Sequence, residues 1–154
     1  MIKNIFMERA LELAEIAFEQ GEVPVGAIVV EGKTGKIISE SHNLVEKYKN
    51  PSFHAEIIAL QKAQEIKNSK YLDDCDLYVT LEPCPLCASA ISLYRIKRLY
   101  FGAYDIKSGA VESVTNFFHQ KNCFSKPEVY SGLYHDKSSN LMLKFFEKLR
   151  IEKI

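Results

Sequence analysis

The stretch Leu77-Tyr78-Val79-Thr80-Leu81-Glu82-Pro83-Cys84-Pro85-Leu86-Cys87 changes character at Pro83, and that change decides the fold. Leu77 to Leu81 is a short apolar run rich in strand-forming residues, and it reads as a buried strand. Pro83 cannot donate to a sheet ladder and interrupts it. Pro85 to Tyr94 then reads as a helix with a proline tolerated in its first turn. Leu99 to Ala103 is the next strand. A strand, a crossover helix and a second strand make a parallel pair with a right-handed connection.

Working outward, Ile2, Ile5, Phe6, Ala10, Leu13, Ala14 and Ala17 recur at helical spacing, and Gly21 follows where a C-cap falls. Val23 to Val30 reads as a buried strand, Glu31 to Lys36 as a turn, and Ile37 to His42 as a second strand, together an antiparallel hairpin. Gly26 inside the first strand marks either a bulge or the close approach of a ligand or another backbone. A polar connection, Leu44 to Phe53, leads into helical periodicity from His54 to about Lys67. After Ala103 comes a long, poorly periodic stretch, Tyr104 to Lys126, of a kind that often carries function. Glu128 to Tyr130 is a short final strand. The last helix has an apolar face of Met142, Phe145, Phe146 and Leu149 and a basic side of Lys144, Lys148, Arg150 and Lys153. Helices on both faces of one sheet give an α/β chain, a three-layer α/β/α sandwich with a mixed five-stranded sheet.

The bulk properties agree with one soluble domain spanning residues 1–154. Of the 154 residues, 47% are hydrophobic and 26% charged, which suits a buried core. No apolar run approaches the ~20 residues that span a bilayer, and charges interrupt the amino-terminal pattern, so the expectation is a cytoplasmic protein without a membrane segment. The balance of 20 basic and 20 acidic residues gives no global pull toward nucleic acid. Four cysteines in a cytosolic chain read as ligands or buried thiols rather than disulfides.

The chemistry concentrates in His54-Ala55-Glu56 and Pro83-Cys84-Pro85-Leu86-Cys87. One imidazole and two thiols can hold zinc with its fourth position open to water. A water so bound has a pKa near ~7, and Glu56 is placed to take its proton, leave a hydroxide nucleophile and return the proton elsewhere. A zinc protease would need a second His at position 58, which is Ile58. A dithiol redox motif would account for Cys84 and Cys87 but not for His54 and Glu56. A structural zinc site needs a fourth ligand. Cys75 lies a strand's length of ~23 Å from the motif at ~3.3 Å per residue, whereas Cys123 and His42 stay open as candidates.

An H-x-E followed by P-C-x-x-C is the known signature of zinc nucleobase deaminases, so this reading is a resemblance and not a consequence of spacing. Four stretches extend it: Glu22-Val23-Pro24-Val25-Gly26-Ala27, His54-Ala55-Glu56, Leu77 to Cys84, and Phe101-Gly102-Ala103-Tyr104-Asp105-Ile106-Lys107-Ser108-Gly109-Ala110. They resemble the bacterial tRNA-specific adenosine deaminases of the cytidine deaminase-like superfamily. The resemblance implies conversion of adenosine to inosine at the wobble position of a tRNA anticodon stem-loop by a homodimer with one Zn2+ per subunit. It implies His54, Cys84 and Cys87 as zinc ligands, Glu56 as proton shuttle, Asn43 as a nucleoside contact, Val25, Ala55 and Leu81 as pocket wall, and Asp105 with Lys107 as RNA contacts. Tyr104, Leu81, Glu112 and Cys123 depart from the family's usual residues. Two other readings stand beside it. One is a small-molecule deaminase of guanine, cytosine or dCMP on the same fold. The other is a catalytically idle zinc protein that binds RNA or a partner.

Overall fold

A computed structural model describes residues 4–153. Helix α1 spans Ile5–Glu19, strand β1 Gly26–Glu31, β2 Ile37–His42, the one-turn helix α2 Val45–Tyr48, α3 Ala55–Lys67, β3 Cys75–Leu81, α4 Pro85–Leu93, β4 Arg98–Ala103, β5 Glu128–Tyr130 and α5 His135–Glu152. The five strands lie in the order β2-β1-β3-β4-β5. β1 pairs antiparallel with β2 and β3, while β3, β4 and β5 run parallel. The sheet is therefore mixed, as the sequence indicates.

Alternation along the central strands sorts the core into two layers. Ala27, Val29, Leu77, Val79, Leu99 and Phe101 face α3 and α4. Ile28, Val30 and Tyr78 face Met7, Ala10 and Leu13 of α1. Strands covered on both faces read as near-continuous apolar runs. On the α1 side, Tyr78, Tyr100 and Tyr130 are register partners across β3, β4 and β5. Their rings stack with centroids 4.3 Å and 4.8 Å apart. α5 lies beside α1 through Phe18 and Phe145, whose ring centroids are 5.9 Å apart. The Ser138 hydroxyl fastens it to β3 by donating to the Thr80 carbonyl.

Asn4 accepts the Met7 N–H at 2.9 Å and so caps α1, while Gly21 follows the helix at φ 76°. Ile2 of the expected helical face lies outside the described residues. Several boundaries differ from the sequence reading, with β3 opening at Cys75 rather than Leu77 and β4 at Arg98 rather than Leu99. β1 starts at Gly26 rather than Val23, because Pro24 has no N–H for the ladder. The connection before α3 contains α2. His54 is the N-cap of α3, not its first helical residue. Gly26 is no bulge: a side chain there would collide with the Ala10 carbonyl and approach Ala14 N to 2.8 Å, so the glycine admits the backbone of α1. The register shift of β1 falls between Val29 and Val30 instead. The stretch after β4 holds only a single 3-10 turn, Phe117–His119. Among the described residues no helix is long and apolar enough to cross a membrane.

Candidate active site

Both halves of the signature open helices. His54 caps the start of α3 with extended backbone (φ −71°, ψ 151°), and Cys84 caps α4 in the same way (φ −75°, ψ 174°), yet neither side chain makes a capping hydrogen bond. They turn toward each other. His54 Nδ1 lies 3.5 Å from Cys84 Sγ and 3.4 Å from Cys87 Sγ. A tetrahedral zinc with Zn–N of ~2.1 Å and Zn–S of ~2.3 Å has N···S edges of about 3.6 Å, so these three donors fit the ion. Among the described residues no other group of three His, Cys, Asp or Glu side chains could hold a metal.

The remaining candidate ligands are engaged elsewhere. Cys75 opens β3 at the far end of the strand, with its thiol 3.3 Å from Asp74. Cys123 lies 3.3 Å from the Ser92 hydroxyl and donates to the Ser125 carbonyl. His42 Nδ1 is 3.0 Å from the Asn43 carbonyl. The donor set is thus three, the number typical of a catalytic zinc.

Electrostatics suit a cation at this point. A hydrogen bond from Cys87 holds the Cys84 thiol well below its ordinary pKa, against burial and with help from His54. The same bond, together with burial, pushes Cys87 up. The bond to Cys84 raises His54 despite its burial. Glu56, in the first turn of α3 and 4% exposed, has its carboxyl pushed up to about 7. Burial is the main cause; the charge of Cys84 adds to it and that of His54 opposes it.

A cavity of about 760 Å³ opens over these groups, with His54, Glu56 and Cys84 at its base. Val25, Asn43, Leu81 and Asp105 line it, and Phe145 and Leu149 of α5 form a further wall. Asn43 Oδ1 accepts the Ala55 N–H at 2.8 Å. Ala55 itself is fully buried in the core and does not line the cavity. Lys107 lines a neighbouring cavity of about 410 Å³, which shares Leu81, Asp105 and Ser108 with the first.

Two buried carboxylates brace the cavity, and their roles were not legible in the sequence. Glu22 accepts the Glu46 and Lys47 N–H groups at 2.9 Å each and so holds α2 over one side. Glu82 accepts backbone N–H groups of the loop on the other side, from Asp105 to Ser113. Burial works to raise the Glu82 carboxyl, but the bonds from Glu112, Ser113 and Asp105 prevail and hold it below its ordinary value. The only signal was their placement in two quoted stretches, Glu22 opening one and Glu82 preceding Pro83-Cys84.

The sandwich and the three-donor site define a deaminase domain, and residues 1–150 match the family model of the MafB19-like deaminases. The tRNA-specific adenosine deaminase of Rickettsia bellii (strain RML369-C) is 53% identical over 144 residues, which covers 94% of this chain and 99% of that protein. A structure solved in a study of A-to-I editing by tRNA:A34 deaminases superposes with a TM-score of 0.87 at 46% identity, covering 90% of this chain and 99% of its own. The guanine deaminase of Nitrosomonas europaea superposes with a TM-score of 0.79 at 24% identity over 91% of this chain and 82% of its own, a likeness of fold. The chain belongs to the bacterial tRNA-specific adenosine deaminases.

Proposed function

We propose that this enzyme hydrolyses adenosine to inosine and ammonia at the wobble position of a tRNA anticodon, acting as one deaminase domain. The observation that carries the reading is the buried Glu56 beside the His54, Cys84 and Cys87 donors at the base of a cavity. Relatives named tRNA-specific adenosine deaminases, at 36–53% identity, support the substrate class.

His54, Cys84 and Cys87 would hold a zinc ion, which would supply a Lewis acid able to bring a water's pKa toward ~7. Glu56 takes a proton from the attacking water and passes it to the purine N1 as the oxygen bonds to C6; it then carries the remaining hydroxyl proton to the amino group, whose bond to C6 breaks to release ammonia. With its Oδ1 already bonded to Ala55, Asn43 offers its amide N–H groups to the nucleoside. Val25 and Leu81 flank the base, and Ala55 backs the wall through its N–H. Asp105 and Lys107 meet the flanking nucleotides from adjoining cavities. A base in a single-stranded loop is extruded at low cost, which favours an anticodon loop as target. The basic side of α5, with Lys153 on the cavity, supports an RNA partner.

Exposed Leu86 and Leu93, one heptad apart on α4, and exposed Phe124 support a homodimer. The substrate implies a cytoplasmic enzyme. The test is turnover of an anticodon stem-loop with adenosine at the wobble position beside free adenosine, cytidine and guanine, with zinc measured on the same sample. Inosine in the RNA alone is expected. Turnover confined to a free base or nucleoside would move the enzyme to small-molecule metabolism, and zinc without turnover would leave a binding module.

A further inference from the structure

Glu82 takes no part in the proton transfers above, yet it joins the strand that leads to Cys84 to the loop that carries Asp105. Its side chain is 2% exposed. Oε2 accepts the N–H groups of Val111 at 3.2 Å, Glu112 at 2.8 Å and Ser113 at 2.9 Å. Oε1 accepts the Asp105 N–H at 3.1 Å and the Ser113 hydroxyl. Successive N–H groups converging on one oxygen form a nest, a backbone concavity suited to an anion. The chain supplies that anion itself.

Two further features belong to the same device. Gly109 is needed because a Cβ there would fall on the Glu82 carboxylate. The Ala110 N–H donates to the Pro83 carbonyl at 2.8 Å, a second tie to the ligand-bearing turn. At the loop's tip, Asp105 Oδ1 accepts the Lys107 and Ser108 N–H groups at 3.1 Å each, so the tip is itself a closed turn. Apart from Ala110 and Val111, residues 104–114 bury no apolar side chain, so hydrogen bonds rather than core packing fix their course.

We propose that Glu82 is a positioning residue for the RNA: it fixes the loop of residues 105–113 so that Asp105 and Lys107 meet the nucleotides flanking the target base. The inference rests on the tRNA reading above. A loop held in its binding shape spares the complex the entropy of ordering it. Glu56 and Cys87 sit in α3 and α4 and His54 and Cys84 cap those helices, and the Glu82 carboxylate bonds to none of these residues. Its loss therefore acts on substrate binding more than on the chemical step.

The test compares the zinc-loaded wild type with Glu82→Gln, which keeps the shape but turns an N–H2 toward N–H donors, and with Gly109→Ala, which presses on the carboxylate from the loop side. Zinc content, amide hydrogen exchange and stem-loop kinetics are measured for each. Expected are wild-type zinc content and amides of 105 and 111–113 exchanging about tenfold faster, with β3 and β4 still protected. KM for the stem-loop should rise about tenfold while kcat falls less than about threefold. Active variants with wild-type KM overturn the proposal, as does a uniform loss of protection together with zinc, which marks a merely structural residue. If the wild type fails to turn over the stem-loop, the tRNA reading falls and this inference with it. Wild-type turnover with unaltered KM in the variants sinks the Glu82 role alone.

Discussion

Asn43 Oδ1 accepts the backbone N–H of Ala55 at 2.8 Å, so the residue just past β2 determines where α3 begins, one position after His54. The bond separates two duties: Oδ1 holds the helix start, while the amide N–H groups of this cavity-lining residue are left for the proposed contact with the nucleoside. Asn43→Asp keeps the first and removes the second. We expect Asn43→Asp to melt close to the wild type but to lose at least about tenfold in kcat/KM, and Asn43→Ala to lose the activity and about 1 kcal/mol of stability besides. Thermal melts run beside kinetics separate the two; equal melting of both variants would remove the capping duty.

Glu56→Gln removes the group proposed to move the proton while keeping its volume. Turnover of the stem-loop should fall on the order of 10²–10⁴-fold with zinc content retained. Activity that survives unchanged would end the hydrolytic mechanism proposed for Glu56.

The three proposed ligands can be tested on the metal directly. Cys84→Ser, Cys87→Ser and His54→Ala should each lower zinc content well below about one ion per chain and abolish turnover. Chelation of the wild type should do the same and lower its melting temperature, because the ion ties the start of α3 to that of α4. Metal analysis of the purified variants decides; full zinc occupancy in any one of them would strike that residue from the ligand set.

Stability of the metal-free chain should depend on pH through Glu56. Its carboxyl titrates at about 7 when folded against an ordinary 4.5. Between those values the folded chain holds a proton that the unfolded chain has released. The contribution is therefore fully present below about pH 4.5 and is lost as pH rises through about 7. Measured against Glu56→Gln, which lacks this titration, the wild type's urea midpoint should lose ground from about pH 5 to about pH 8. Parallel curves for the two proteins would contradict the assignment.

Gly26→Ala should destabilise the chain by about 1–3 kcal/mol, since the added methyl meets the backbone of α1 rather than a flexible side chain. Chemical denaturation measures it. A neutral effect would mean that α1 can withdraw from β1 without cost.

The strand and helix rhythm was legible because apolar periodicity is local, and the donor set because its ligands fall in two short motifs that each open a helix. Less was legible where the partner is backbone far away in the chain. Glu22 and Glu82 look like surface residues by type, and only the fold brings N–H groups 23 to 31 residues distant onto their carboxylates. Gly26 left two readings open because the atoms that exclude a side chain belong to α1. Asp105 and Lys107 sit two apart on one turn, yet the turn sends Lys107 to the neighbouring cavity alone, a parting that no spacing encodes.

The column of Tyr78, Tyr100 and Tyr130 gives the molecule an optical signature of its own. The chain has eight tyrosines and no tryptophan, so its near-ultraviolet dichroism and intrinsic emission come chiefly from tyrosine. Three of those rings are stacked across the parallel part of the sheet, with interplanar angles of 2° and 14°. Light absorbed there reports the integrity of β3, β4 and β5 without any attached label, and separately from events at His54, Cys84 and Cys87.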